Sequence, residues 1–162
     1  MSSTRRPWSW PCPPFLERLT SLRLGQNVIR DAGWAALRFA LQGEMLEVLD
    51  LSSNPIPGWG PHPVTSLTYQ PRLADLDLSK TLVRDAALVG LADTPALSAL
   101  RTLDLSYNGI EDGGAAALAA SPYLDQLTTL KLEWNWIGDA GAAALRTRFG
   151  RALHLRSDWI RG

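Results

Sequence analysis

The sequence predicts an α/β solenoid, in which a short strand, a turn, a helix and a second turn recur along the chain. Three observations predict it. A run of the form L-x-x-L-x-L recurs with its middle leucine at Leu22, Leu49, Leu76, Leu103 and Leu130, each 27 residues after the last. Flanking columns hold the same phase, such as Leu19, Leu46, Leu73, Leu100 and Leu127 three residues before and Ile29, Ile56, Val83, Ile110 and Ile137 seven after. Within each unit the pattern switches from period two to a helical spacing. One such unit cannot bury its apolar face alone, so stacked copies must share a continuous leucine core.

Each part of the unit has its own cause. The L-x-L pair puts two leucines on one face of a short strand. Five residues after the anchor stand Asn27, Asn54, Thr81, Asn108 and Asn135. An inward amide carries donors and acceptors, so a stacked asparagine column can satisfy the turn's unpaired backbone. Thr81, with only a hydroxyl, is expected to leave the column weaker but intact. Asp31, Asp85, Asp112 and Asp139 then stand where a helix begins, and are expected to cap the helix that each one opens. The alanine-rich runs 115–120 and 142–145 favour helix and let it pack closely on the strands. Pro95 and Pro122 punctuate the helix exits.

The pattern L-x-x-L-x-L-x-x-N-x-I-x-D-x-G-x-x-A-L resembles the ribonuclease-inhibitor-like class of leucine-rich repeats. The resemblance runs from residue 19 to 145, with a weaker tail to Ile160. It implies a curved horseshoe segment of about five 27-residue repeats plus a terminal half-repeat, with parallel strands concave and helices convex. The helix ends and the closing run RTRFGRALHL look like repeat proteins of bacterial type. The class mostly presents surfaces, so the resemblance implies a non-catalytic scaffold that binds a protein partner through the concave face and strand-exit rim. Ran GTPase-activating protein shares the repeat class, which implies an alternative role as regulator of an enzyme such as a small GTPase. The rim residues of that family find no match here. A further alternative is a fragment or module of a longer array.

Three stretches depart from the pattern. Residues 1–14 are a Pro- and Trp-rich head without periodicity, expected to be disordered or capping, and residues 15–162 form a single repeat domain. Arg5 and Arg6 lack the apolar stretch that an export signal requires after them. In repeat two, four prolines between 55 and 63 forbid a normal helix start. The segment 55–71 is read as an extended stretch covering the core with Val64 and Leu67. The other reading is a loop presenting Trp59 and His62. Leu153-x-Leu155-x-x-Asp158-x-Ile160 reads as a final strand without its helix. At the N-terminal end a short helix over 14–18 would be a thin cap. The head folding over that end, a longer array, and an edge that finds a partner stay open as explanations.

Composition narrows function. The 162 residues carry 16 Lys+Arg and 16 Asp+Glu, a formal net charge of zero. No basic field exists for nucleic acid and no polybasic patch for a membrane surface. A single cysteine, Cys12, excludes an internal disulfide framework, and the setting is expected to be cytoplasmic. His62 and His154 lie far apart in the repeat order, and no phosphate-binding glycine loop occurs. No cofactor, metal or catalytic site is therefore expected.

Candidate contact residues lie on the open sheet face and its exit rim. Asp50, Asp77 and Asp104 fall in one column, joined by Asp75 in the neighbouring one and bracketed by Arg23 and Lys131. The column reads either as an acidic docking strip for a cationic partner or as ordinary repeat chemistry, with Asp and Ser bonding across strands. Metal binding is disfavoured, because adjacent carboxylates repel without converging. At the strand exit the column is Gln26, Ser53, Lys80, Tyr107, Trp134. Tyr107 and Trp134 are expected to be neighbours, with Trp136 extending the patch. Exposed aromatic pairs are typical interface anchors. Trp34 and Trp159 read as packing residues.

Overall fold

The sheet is built from six short strands, and the third, fourth and fifth each feed a turn and then a helix. The computed structural model describes residues 18–29, 33, 37, 44–55 and 71–155. The strands are β1 (Ser21–Arg23), β2 (Val48–Asp50), β3 (Asp75–Asp77), β4 (Thr102–Asp104), β5 (Thr129–Lys131) and β6 (Leu153–His154). All neighbours are parallel, in the order of the chain. The register pairs Leu22 with Leu49, Leu49 with Leu76, Leu76 with Leu103 and Leu103 with Leu130, so the sequence repeat and the sheet repeat coincide. β6 arrives after a shorter step and pairs Leu153 with Leu130, the final strand expected from Leu153-x-Leu155; Asp158 and Ile160 lie outside the described residues.

Three helices are described in full: α1 (Asp85–Ala92), α2 (Asp112–Ala120) and α3 (Asp139–Phe149). Gly33 and Leu37 are also helical. A 3-10 turn at Pro95–Leu97 follows α1, and Pro122 stands just past the end of α2 at Ser121. Between sheet and helices lie the leucines. Leu49, Leu103, Leu105, Leu118, Leu130 and Leu145 are fully buried. Each fully buried leucine stabilises the fold by about 1.5–3 kcal/mol relative to an exposed one.

The asparagine column forms as the sequence predicts. Asn108 Nδ2 donates to the carbonyls of Leu78 in the preceding repeat (2.8 Å) and of Leu105 in its own (3.0 Å). Its Oδ1 accepts from the Thr81 and Val83 amides at 3.0 and 3.1 Å. Asn135 repeats the pattern with Leu105, Leu132, Asn108 and Ile110. Asn54 reaches Leu24 at 2.8 Å in the same way. Thr81 donates its hydroxyl to Leu78 at 2.6 Å, and among the described residues it makes no bond to Leu51, the carbonyl an asparagine there would reach. The column is intact and thinner at that step.

The aspartates differ from expectation. Asp85, Asp112 and Asp139 are the first helical residues. The cap positions are Arg84, Glu111 and Gly138, without side-chain capping bonds. Asp85 Oδ1 instead accepts from the Glu111 amide (2.9 Å), and Asp112 Oδ1 from the Gly138 (2.8 Å) and Gly141 (3.0 Å) amides. Asp85 and Asp112 thus serve the start of the next repeat's helix. The reason is spacing: the helices stack so closely that a Cβ on Gly141 would lie 2.5 Å from Asp112 Oδ1 and 2.8 Å from the Ala115 Cβ. At the helix exits Ser121 Oγ donates to the Ala92 carbonyl at 2.5 Å. Arg148, beside Asp125, also donates to the Ser121 carbonyl at 3.3 Å. Neighbouring repeats are therefore tied at strand exits, helix starts and helix ends.

The head 1–14, Trp34, Trp59, His62, Val64, Leu67 and Trp159 lie outside the described residues, as does nearly all of the 55–71 segment. Among the described residues, no helix is long and apolar enough to cross a membrane.

Candidate functional site

The candidate residues sit where the strands of the sheet end. Strand alternation sends Leu76, Leu103 and Leu130 inward and their neighbours on either side outward. The register therefore sets Arg23, Asp50, Asp77, Asp104, Lys131 and His154 in one row across the open face. Asp75 stands two residues earlier on the same strand, aligned with Val48 and Thr102, and is exposed.

The carboxylates of the row are not free side chains. Asp50, Asp77 and Asp104 each accept, through Oδ1, the backbone amide two residues on: Ser52 at 2.9 Å, Ser79 at 2.9 Å and Ser106 at 3.0 Å. The expected cross-strand Asp–Ser bonds are replaced by these local turns, because the amide two residues ahead lies within reach before any neighbouring strand does. Lys131 Nζ lies 3.3 Å from Asp104 Oδ2. Desolvation at its half-buried position pushes the Asp77 carboxyl above the ordinary range, and the Asp104 and Asp50 charges add to that. The Ser79 amide and hydroxyl act in the opposite direction.

Three residues beyond each of these positions comes a column the sequence named but whose backbone it did not reveal. Gln26, Ser53, Lys80, Tyr107 and Trp134 all adopt the left-handed conformation, with φ between 55° and 59°. For a non-glycine residue this costs about 1–2 kcal/mol. The strain is offset at four of the five, whose amides find the next repeat: Gln26 to the Ser52 carbonyl, Ser53 to Ser79, Lys80 to Ser106 and Tyr107 to Glu133, at 2.8–3.0 Å. The reversed backbone turns these side chains outward in a row along the rim.

Tyr107 and Trp134 meet there as expected. Their rings stack at 5.6 Å between centroids with 16° between planes. Lys80 Nζ stands 4.9 Å from the Tyr107 centroid, a cation–π contact that extends the group by one repeat. Tyr107 remains 45% exposed, so the pair is a surface feature and not core packing. Trp136 does not extend the stack. It lies beyond the buried Asn135, 63% exposed, with no aromatic partner among the described residues. Asn135 points inward, and its two neighbours in sequence diverge to either side of it.

A hollow of about 360 Å³ opens beside the rim, lined by Lys80, Asp104, Tyr107, Lys131, Glu133 and His154 among others. Sequence reasoning placed each of its charged residues except His154 and Glu133 in a binding role. The hollow itself was not legible, because it depends on how side chains from four strands lean together. Among the described residues no group of His, Cys, Asp and Glu is arranged to hold a metal ion.

The comparisons agree with this architecture. Family models described as Leucine Rich repeat match residues 97–119 and 127–145, and one described as Leucine Rich Repeat matches 45–67. No curated protein sequence matches the chain. Among solved structures, the fold is similar to an internalin from Listeria monocytogenes strain 4b F2365, with a TM-score of 0.58 and 26% identity. The likeness covers 91% of this chain, which spans 36% of that one. Leucine-rich-repeat models thus match three stretches of the chain, and the parallel, in-register strands and the structural neighbour agree with an α/β repeat solenoid.

Proposed function

We propose that this chain is a non-catalytic scaffold that binds a protein partner through the open sheet face and the strand-exit rim. Within that reading it is a bacterial, ribonuclease-inhibitor-like array of about five repeats and a half-repeat, curved so that the sheet is concave. The observation that carries it is the Tyr107–Trp134 stack, held outward on left-handed turns with Lys80 over the tyrosine. A rigid aromatic pair offers a large contact area at small entropic cost. The inward residues beside it, Asn108 and Asn135, make the buried side-chain bonds that hold the turns, a role the aromatic side chains do not share.

The test is affinity capture with the wild type and a Tyr107→Ala/Trp134→Ala double variant whose helicity and melting are matched. Recovery of a protein by the wild type and its loss in the variant supports the reading. Equal recovery of every captured protein overturns it.

A further inference from the structure

The row across the open face changes sign along its length. Arg23 stands on the first strand, Asp50, Asp77 and Asp104 on the next three and Lys131 on the fifth, with His154 beyond it. Lys131 and Asp104 meet at the boundary. Among the described residues, Asp50 and Asp77 have no ion-pair partner, and only one oxygen of each is held by the backbone.

The hollow lies over this boundary. In its wall stands Ser106, only 5% exposed, whose hydroxyl is the one buried side-chain polar atom among the described residues without a hydrogen-bond partner. Buried hydroxyls are normally satisfied, so this one, at the wall of a polar hollow, keeps hydrogen-bonding capacity that no group among the described residues uses. The charges of the lining balance, with Lys80 and Lys131 against Asp104 and Glu133. Asp50 and Asp77 leave one carboxylate oxygen each open to a cation, and Lys131 can be shared between Asp104 and an incoming carboxylate, so a ligand carrying both charges meets both parts of the row.

We propose, building on the scaffold reading, that this face takes an extended segment of a partner protein carrying a cationic side chain and a carboxylate three to four residues apart. The cation sits over Asp50 and Asp77, the carboxylate over Lys131 and His154, and a polar group between them bonds Ser106. The spacing follows from geometry. Asp77 lies two strands from Lys131 and three from His154, about 10–14 Å at 4.8 Å per strand, which an extended chain covers in three to four residues. The segment runs across the strands, with Tyr107 and Trp134 along its flank. Burial and, less strongly, its two acidic neighbours raise the Asp77 carboxyl above the ordinary range, and a bound cation relieves that repulsion.

The test is selection of random 12-residue displayed peptides on the whole chain at low salt. The wild type is expected to enrich peptides bearing Lys or Arg and Asp or Glu at this separation. An Asp50→Asn/Asp77→Asn variant keeps the turn acceptors and is expected to enrich peptides that have lost the cation. Lys131→Gln is expected to enrich peptides that have lost the carboxylate. A synthetic wild-type-selected peptide is expected to bind Lys131→Glu about tenfold or more weakly. Wild-type peptides lacking either sign, or sign content unchanged in the variants, overturn the proposal. If such peptides still depend on Tyr107 and Trp134, the scaffold reading stands without it. Absence of any enriched peptide overturns the proposal, and the capture experiment decides the scaffold reading separately.

Discussion

Two columns one residue apart in the same turns behave in opposite ways. Asn54, Thr81, Asn108 and Asn135 point inward, are buried, and are nearly uniform in type. Ser53, Lys80, Tyr107 and Trp134, immediately before them, point outward and share only a backbone conformation. The inward column carries the hydrogen bonds that hold adjacent repeats together. The outward column bonds the next repeat through its backbone amides, so its side chains are free to vary at little cost to the fold. Uniformity here reports a structural requirement, and variety on a fixed backbone reports a surface available for recognition.

The contrast is broken most severely from the inside. Asn108→Ala removes donors to Leu78 and Leu105 and the acceptor for Thr81 and Val83, all buried. The expected loss is about 3–5 kcal/mol, since each orphaned buried group costs about 1–3 kcal/mol. In a chain of this size that lowers the Tm by about 10 °C or more. Thermal unfolding followed by circular dichroism checks it. A drop no larger than that of an exposed control, Val89→Ser, would contradict the role given to the column.

A smaller change runs the other way. Thr81→Asn supplies the missing bond to the Leu51 carbonyl and should stabilise by about 0.5–1.5 kcal/mol. Chemical denaturation reads this as a higher midpoint with unchanged slope. A lower midpoint would mean the pocket around Thr81 has closed to fit a smaller side chain.

The smallest effect belongs to the open face. Asp77 is raised in the folded state, so the folded chain binds its proton more tightly than the unfolded chain does. Its ionisation therefore costs stability as pH rises from the acid range to neutrality. Asp77→Asn retains the acceptor for the Ser79 amide and removes the repulsion from Asp50 and Asp104. The gain expected at pH 7 is about 0.5 kcal/mol, fading as pH falls below the ordinary carboxylate range. Melting curves across that range check the sign. A variant less stable at pH 7 than the wild type would show that an attraction to Asp77 has been missed.

Most of the fold was legible because the repeat writes its geometry several times. Leu22, Leu49, Leu76, Leu103 and Leu130 gave the register directly. Asn108 and Asn135 announced their bonds by being polar residues at fixed inward positions. The aspartates misled because a carboxylate at a helix start has two sets of amides within reach, its own and the next repeat's. The distance between helices decides between them, and no local motif encodes it. Of the site, the Tyr107–Trp134 pair followed from the period alone. Trp136 did not join it, because position 135 turns inward and separates its neighbours. The left-handed turns stayed hidden because lysine, tyrosine and tryptophan carry no glycine-like signal for positive φ. The hollow and the orphaned Ser106 hydroxyl depend on side-chain placement across four strands and had no sequence signature.

The central claim is that the inward column folds the chain and the outward column recognises a partner. The most direct measurement compares the Tyr107→Ala/Trp134→Ala variant with the wild type in one capture and melting experiment. The two rings contribute about 0.5–1.5 kcal/mol through their stack, so the Tm should fall by only a few degrees. Partner binding should weaken by about thirtyfold or more, the loss of an interface anchor. A large fall in Tm, or retention of the same partners at the same affinity, would contradict the account.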